Sequence, residues 1–377
     1  MDDVARDVYA QLVAGPELAV IVPTFKEVKN VPELVERLRQ SLVGISWEVI
    51  FVDDDSPDGT SDCVREIARL DWRVRCLQRI DRRGLSSATI EGMHASSSPF
   101  LAVMDGDMQH DEQLLPDMLH ALKSGNLDVV VGSRYVEGGT LGDFAARRVG
   151  MSKFATRLSR LVVPPALTDP MSGFFLIRRE VFTAANRKMS AIGFKVLVDL
   201  FASSPRPLRF LELPYEFRTR RAGESKLDSA VVWDFGLLLI DKTVGHIVPA
   251  RFFAFTVVGL FGVVVHLSVL AALLNLLHWQ FSIGQALATG VAMIVNFSIN
   301  NAVTYSDKKL RGWRWFGGLL SFAAVCGIGA LANVGVASYL FRWRAAWIPA
   351  ALAGILVSAV WNYVATSIFT WAKPGRR

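Results

Sequence analysis

Cysteine is scarce in this chain: three residues in 377, at positions 63, 76 and 326. They form neither a CxxC pair nor an even framework. That excludes a disulfide scaffold and a thiolate zinc site, and Cys63, Cys76 and Cys326 read as small structural hydrophobes. The opening residues, MDDVARDVYAQLVAGPE, are acidic and contain no apolar h-region. No signal peptide is therefore expected, and the N-terminal domain is expected to remain cytosolic. Despite a net charge of +6, the basic residues make no RNA- or DNA-reading motif, so no nucleic-acid partner is expected. Anionic membrane lipid and phosphate-bearing substrates account for the charge more simply.

Apolar residues are in excess, at 51% of the chain with a mean hydropathy of +0.32. They are unevenly spread. Up to about residue 230 charged and apolar residues mix as in a soluble α/β domain; beyond it come four apolar spans, at 252–276, 281–304, 316–340 and 347–371. Each is long enough to cross a hydrocarbon core of about 30 Å. The segment 227–245, LDSAVVWDFGLLLIDKTVG, reads as an amphipathic helix lying on the membrane surface. The expected organisation is a soluble domain over 1–226, this interfacial helix over 227–245, and an all-α membrane domain of four transmembrane helices over 246–377. The loop SDKKLRGWRW and the tail KPGRR are basic, whereas HWQF carries no Lys or Arg. The positive-inside rule then puts the C-terminus on the cytosolic side with the soluble domain, although Arg342 and Arg344 count against it. Asn296, Asn300, Asn301 and Asn333 fall within the spans, where side-chain amides hydrogen-bond between helices; a path for a lipid phosphate is the alternative.

In the soluble part, LAVIVPTF, WEVIFVDDD, VRCLQR and FLAVMD read as strands that alternate with helical stretches such as NVPELVERLRQSL and DEQLLPDMLHALKSG. That alternation argues for a parallel sheet with helices on both faces. Ligands of such sheets bind beyond the carboxyl ends of the strands. Asp53, Asp54, Asp55, Asp105 and Asp107 all fall there. Asp105 and Asp107, two apart where the chain turns, can hold a divalent cation that a diphosphate completes, because Mg²⁺ prefers few protein oxygens plus phosphate. A solvated acidic loop with a helix cap at Asp111 is the alternative. The acids of VDDDSPDGT could grip a nucleoside, and VPTFKE adds Pro23 and Glu27 at the exit of the first strand.

The motifs VPTFKE, VDDDSPDGT, MDGDMQH, GSRY, DPMSGF and GESK, in this order over about residues 18–228, resemble glycosyltransferase family 2, in particular its dolichol-phosphate mannose synthase-like members. The remainder resembles the GtrA-like membrane domain. The resemblance implies an α/β GT-A (Rossmann-like) fold for the soluble domain and Mg²⁺ or Mn²⁺ as cofactor. It places Pro23, Phe25, Glu27, Val52 and Asp54 around the nucleotide, and Asp105, Gly106, Asp107 and Gln109 around the metal and diphosphate, with Asp105, Asp107 and Gln109 as metal ligands. Arg220 and Lys226 would approach the donor diphosphate. Ser133, Arg134 and Arg148 would cradle a lipid phosphate, and Asp107, Arg134 and Arg148 would carry catalysis. PTFKE and DDDSPDGT depart from the family's usual PTYNE and DDNSPDGT, which bears on nucleotide preference.

The implied reaction is inverting transfer of a hexose to a polyprenyl phosphate at the cytosolic membrane face, with GDP-mannose as the expected donor and UDP-glucose as the alternative. Such an acceptor is already anionic, so the lack of an obvious Ser or His triad is consistent with it, and His110 is expected in a structural rather than a base role. A processive polysaccharide synthase is a rival, but no Q-x-x-R-W motif occurs. A lipid flippase that only senses nucleotide sugar is a second rival, disfavoured by the Asp105-x-Asp107 pair and the basic residues.

Overall fold

The computed structural model describes residues 15–80, 82–139, 155–191, 193–218, 229–245, 249–305, 308–342 and 347–371. The chain divides into two compact units, Met1–His246 and Ile247–Arg377.

The first unit is built on seven strands: β1 (Leu18–Thr24), β2 (Trp47–Asp53), β3 (Val74–Gln78), β4 (Phe100–Val103), β5 (Val129–Ser133), β6 (Phe175–Arg178) and β7 (Phe210–Pro214). Among the described residues its helices include α1 (Val31–Ser41), α2 (Thr60–Leu70), α3 (Leu85–Ala95), α4 (Leu115–Ser124), α5 (Arg179–Asn186), α6 (Val196–Ser203) and α7 (Ser229–Val244). β1 and β2 are continuous apolar runs because helices cover both faces of the sheet. One core layer gathers residues of α3, α5, α6 and α7; the other gathers residues of α1, α2 and α4. Helix α1 shows how the sequence specifies this. Pro32 occupies its first turn, and Val31, Leu34, Val35 and Leu38, all buried, form one stripe at helical spacing.

The strand order is β3-β2-β1-β4-β6-β5-β7. All pairings are parallel except those of β6, which runs antiparallel to β4 and β5. The expected all-parallel sheet is thus a mixed one. The reason is topological: the chain leaves the carboxyl end of β5 at Ser133, and its next strand enters from that same edge, so β6 has to run the opposite way.

Helix α7 lies within the stretch expected on the membrane surface. Its Phe235, Leu238 and Leu239 pack into the first core layer, and the Lys242 ammonium lies 2.7 Å from the Asp199 carboxylate. Much of its apolar face is therefore taken up by the sheet domain.

The second unit contains α8 (Ala250–Asn275), α9 (Phe281–Ile299), α10 (Trp313–Arg342) and α11 (Trp347–Ala365). With the π turns that follow α9 and α11, the spans Ala250–Asn275, Phe281–Thr304, Trp313–Arg342 and Leu352–Thr370 are long and apolar enough to cross a membrane, with mean hydropathies of 2.5, 1.4, 2.0 and 1.6. They coincide with the four expected spans. Helices α9 and α11 each end in a π-helical turn, at Asn300–Thr304 and Thr366–Thr370.

The carboxyl ends of α9 and α11 share a local pattern. Asn296, Phe297, Asn300, Thr304 and Tyr305 of the first recur at the same spacing as Asn362, Tyr363, Thr366, Thr370 and Trp371 of the second. Each π turn closes alike, with Tyr305 N–H donating to Asn300 O at 2.8 Å and Trp371 N–H to Thr366 O at 3.0 Å. The equivalent rings of Tyr305 and Trp371 stack on each other, 4.0 Å between centroids and 8° from parallel. Of the asparagines expected to bond between helices, Asn301 exchanges two hydrogen bonds with the backbone of Leu310, in the loop after α9, and accepts a third from Nε1 of Trp371, just past α11, whereas Asn300 donates within its own helix, to Asn296 O at 3.0 Å.

Candidate active site

Three adjacent parallel strands, β2, β1 and β4, deliver their carboxyl ends to one rim. The acids there divide into those that build the rim and those that face outward. Asp53 is fully buried and builds: its carboxylate accepts from Ser56 N at 2.9 Å, Ser61 Oγ at 2.6 Å and Thr24 Oγ1 at 3.3 Å. Asp58 accepts from Thr60 Oγ1 at 2.6 Å and Val28 N at 3.3 Å. Burial alone would push its carboxyl up, but these bonds hold it below its ordinary value. The loop after β1 is thereby tied to the loop after β2, and Glu27 N–H adds a bond to Thr60 Oγ1 at 3.0 Å.

Asp54 pairs with the buried Arg79 at 2.8 Å and accepts from Gly84 N at 2.7 Å. Burial pushes its carboxyl up from the usual range, against those two interactions. Arg79 continues to Ser87 Oγ at 2.6 Å, so Asp54 holds the loop before α3 in place. That loop carries Arg83, whose guanidinium sits 4.4 Å from the centroid of the Phe25 ring. Val52 is completely buried in the sheet core, and Pro23 is half-buried in β1.

Beyond β4 the chain turns sharply. Met108 has φ +66, and Gly106 lies so close to β1 that a Cβ there would meet Thr24 Cγ2 at 3.2 Å and Val22 Cγ1 at 3.3 Å. Glycine lets the Asp105-Gly106-Asp107 turn approach the strand end without displacing Thr24 and Val22, which would have to give by a few tenths of an ångström for any larger residue. His110 then fixes the turn from beneath. Its Nδ1 accepts the Asp105 N–H at 3.0 Å, while its ring stacks on Phe174 at 5.2 Å and meets the edges of Tyr215 and Phe217. Burial drives the imidazole pKa down and keeps it neutral, with its proton on Nε2. Asp107 Oδ1 accepts Gln109 N–H at 3.2 Å. Gln109 and Arg218 clasp each other, Gln109 Nε2 donating to Arg218 O at 3.1 Å and Arg218 N to Gln109 O at 3.0 Å. Asp111 caps the following turn through Gln113 N–H, the one feature of the alternative, solvated-loop reading that is present, and also binds Arg218 at 2.6 Å.

The two carboxylates differ in exposure. Asp107 is 5% exposed, whereas the Asp105 side chain is 36% exposed and opens outward. A Cβ at residue 173 would stand 3.1 Å from Asp105 Oδ2, so Gly173 leaves that carboxylate its space. Among the described residues no three His, Cys, Asp or Glu side chains converge on one point. A pair of carboxylates at a turn, with other positions left to water and phosphate, is nonetheless a donor set that fits Mg²⁺ or Mn²⁺.

Across the rim, after β5, Arg134 is 10% exposed and forks onto the fully buried Asp169, with Nε and Nη2 each 2.8 Å from a carboxylate oxygen. Burial pulls the arginine pKa down, but the Asp169 carboxylate outweighs it and holds the pKa above its ordinary value. Glu212 of β7 in turn accepts from the Asp169 and Thr168 backbone N–H groups at 2.9 and 2.8 Å. Ser133 is buried and exchanges a 3.2 Å bond with Thr168 Oγ1. Arg134 is therefore braced by the DPMSGF segment. Arg148, Arg220 and Lys226 lie outside the described residues.

Lys195, just before α6, is a site residue that the motifs did not reveal. Its ammonium hydrogen-bonds Met171 O at 3.4 Å and feels the charges of Asp105, Asp169 and Arg134. Burial lowers its pKa, reinforced by Arg134 and opposed by the two acids. No spacing rule singles out the lysine of GFKV. Asp169 could have been found, since it opens the DPMSGF motif.

Residues 19–184 match the family model for glycosyl transferase family 2, and residues 254–371 match the GtrA/DPMS transmembrane domain. A dolichol-phosphate mannosyltransferase of Pyrococcus furiosus is 33% identical over 360 residues, covering 94% of this chain and 99% of that protein. Dolichol-phosphate mannosyltransferases of Mycosarcoma maydis and Saccharomyces cerevisiae are 35% and 33% identical over 60% and 57% of this chain, and 79% and 83% of theirs. Among solved structures, a Mycobacterium tuberculosis glucosyl-3-phosphoglycerate synthase with Mn²⁺ and UDP is 17% identical with a TM-score of 0.47, covering 60% of this chain and 80% of that one. The acid-lined rim thus sits in a family 2 domain followed in sequence by a transmembrane domain, and one relative aligns over nearly the whole of both chains: this chain belongs to glycosyl transferase family 2 and is a glycosyltransferase with a GtrA/DPMS transmembrane domain.

Proposed function

We propose that this enzyme transfers a hexose, mannose from GDP-mannose, to a polyprenyl phosphate at the cytosolic face of the membrane, with inversion at the anomeric carbon. The observation that carries this reading is the union, in one chain, of the Asp105-Gly106-Asp107 rim with four membrane-length helices, matched end to end by a relative named for dolichol phosphate.

In this scheme Pro23, Phe25, Glu27 and Asp54 hold the nucleoside, with Asp54 acting through Arg79 and the loop that carries Arg83, and Val52 supporting the pocket from the core. Asp105, Asp107 and the amide oxygen of Gln109 hold Mg²⁺ or Mn²⁺, which when bound neutralises the departing diphosphate. Arg220 and Lys226 approach that diphosphate. The acceptor phosphate oxygen attacks the anomeric carbon as the bond to the nucleoside diphosphate breaks. Both are anions, so no side chain has to take a proton. Ser133, Arg134 and Arg148 receive the acceptor phosphate. Arg134 is already neutralised by Asp169, so the excess positive charge comes from Arg148 and from Lys195.

Full-length protein in liposomes is incubated with polyprenyl phosphate and labelled GDP-mannose or UDP-glucose, with Mg²⁺ or Mn²⁺. A single-sugar lipid from GDP-mannose, lost on chelation and lost in Asp107→Ala, is the expected result. Product only from UDP-glucose would overturn the donor, a polymer would restore the synthase reading, and full turnover of Asp107→Ala under excess chelator would remove the metal.

A further inference from the structure

Arg83 stands apart from its neighbouring arginines. Arg79 is buried and engaged by Asp54 and Ser87, and Arg82 pairs with Glu91 at 2.8 Å. Arg83 is exposed, and among the described residues no hydrogen bond or ion pair engages it; its contact is with the Phe25 ring, whose centroid lies 4.4 Å from the guanidinium carbon. A phenyl ring offers no carbonyl or carboxylate oxygen. The contact therefore holds the guanidinium in place and leaves its N–H donors to a ligand.

The position is where the base of a bound nucleotide would lie. In the strand order β3-β2-β1-β4, the Asp105-Gly106-Asp107 turn follows β4 on one side of the β1 exit, and the loop before α3 follows β3 on the other. Strands lie about 4.8 Å apart, so a nucleotide whose diphosphate sits at the two aspartates carries its base across roughly 10 Å, the width of two strand steps. That brings the base over the loops after β1 and β2. Arg83 reaches back from the loop after β3 to Phe25, just past β1, and closes over the same place. The support is rigid. Gly84 N–H donates to Asp54 at 2.7 Å, Arg79 donates to Gly84 O at 3.1 Å, and Lys26 N–H donates to Ser56 Oγ at 2.9 Å, which ties the loop after β1 to the loop after β2.

The chemistry of the fork selects among bases. A guanidinium presents paired N–H donors, and guanine accepts two at once through O6 and N7. Adenine sets an amine donor against the fork, and uracil offers one acceptor, O4, where guanine offers two. Lys26, whose ammonium is 5.5 Å from the Phe25 centroid, is a point charge without that geometric discrimination. We infer that Arg83 is the residue that selects the nucleotide, its fork binding the O6/N7 edge of guanine while Phe25 holds it in place. This rests on the proposed placing of the nucleoside at the β1 and β2 exits and deepens it by naming the group that distinguishes guanine from other bases.

Binding without any acceptor tests it. Full-length protein in lipid nanodiscs with Mn²⁺ is titrated calorimetrically with GDP, ADP, UDP and 7-deaza-GDP, which keeps O6 and lacks N7. GDP should bind at least about tenfold more tightly than ADP or UDP. Arg83→Ala should weaken GDP about 10–100-fold and change ADP and UDP by less than about threefold. The melting temperature should hold, because Arg83 is exposed. Arg83→Lys should recover only part of the loss, since it restores charge without the fork. 7-Deaza-GDP should bind the unaltered protein more weakly than GDP does and lose less in Arg83→Ala. Equal losses for all the nucleotides would assign Arg83 to the diphosphate and overturn the inference. A GDP preference that survives Arg83→Ala would also overturn it while leaving the donor as proposed. A preference of the unaltered protein for UDP would overturn the donor and the inference together, whereas guanine selectivity that depends on Arg83, with no polyprenyl-linked product in the transfer assay, would uphold the inference and overturn the proposed reaction alone.

Discussion

Replacing His110 separates two roles that an imidazole beside two acidic residues could play. In the structure Nδ1 is occupied by the Asp105 N–H at 3.0 Å, and burial keeps the ring neutral with its proton on Nε2, so neither nitrogen is available to accept a proton from substrate. Its work is to hold the turn. Asparagine places an amide oxygen near the position of Nδ1, so His110→Asn retains the acceptor and loses the stack on Phe174 and the edge contacts with Tyr215 and Phe217. Phenylalanine does the reverse. Leaving the Asp105 N–H buried and unpaired should cost about 1–3 kcal/mol, whereas the aromatic contacts are worth about 0.5–1.5 kcal/mol per pair. His110→Phe should therefore release the Asp105 backbone and lower kcat roughly 10–100-fold, the size of effect that a misplaced site group produces. His110→Asn should lose stability yet keep turnover within about tenfold. Loss of a general base would instead cost about 10²–10⁴-fold whatever hydrogen bond replaced it. Thermal unfolding and steady-state kinetics on both variants decide. A folded His110→Asn protein with the larger loss and unchanged KM values would refute the positioning role.

Gly173→Ala sets a methyl 3.1 Å from Asp105 Oδ2 and 3.4 Å from His110 Cε1, so the carboxylate must shift by a few tenths of an ångström. Activity should fall about 3–10-fold and the divalent-cation concentration for half-maximal rate should rise, with melting temperature nearly unchanged; an unaltered cation dependence would contradict this. Asp71 is held at about 2, below its ordinary 3.8, first by hydrogen bonds from Arg73 and then by Arg39, against burial. A depressed carboxyl stabilises the fold above the unfolded value and loses that contribution as pH falls through the folded one. After discounting for the part-exposed arginines, about 1–2 kcal/mol should disappear between pH 4 and 2 and be missing already in Asp71→Asn, as acid unfolding of the two proteins will show; parallel acid curves at equal stability would refute it.

Local chemistry made the rim legible in the sequence. A buried strand followed by acids and a turn residue is a short-range pattern, and Asp53, Asp54, Asp105 and Asp107 came together because parallel strands share one carboxyl edge. Hydropathy found the four spans for a similar reason. Partnerships formed at long range were not legible. Nothing in GSRY says that Arg134 will be clamped by Asp169, 35 residues on, or that Glu212 will brace that aspartate. The amphipathic pattern of residues 227–245 announces one apolar face without saying whether lipid or protein covers it, and Phe235 and Leu238 went to protein. The reversal of β6 depends on which edge the chain re-enters, which no periodicity encodes.

The stacked Tyr305 and Trp371 tie the ends of two membrane helices to each other. Because Trp371 also donates its indole N–H to Asn301, which in turn holds the Leu310 backbone, a change in any one of these side chains is felt at both helix ends and in the loop that follows the first. The two π turns therefore behave as one joint rather than two, and a substitution at Trp371 should loosen the loop after α9 although it lies 61 residues beyond Leu310 in sequence.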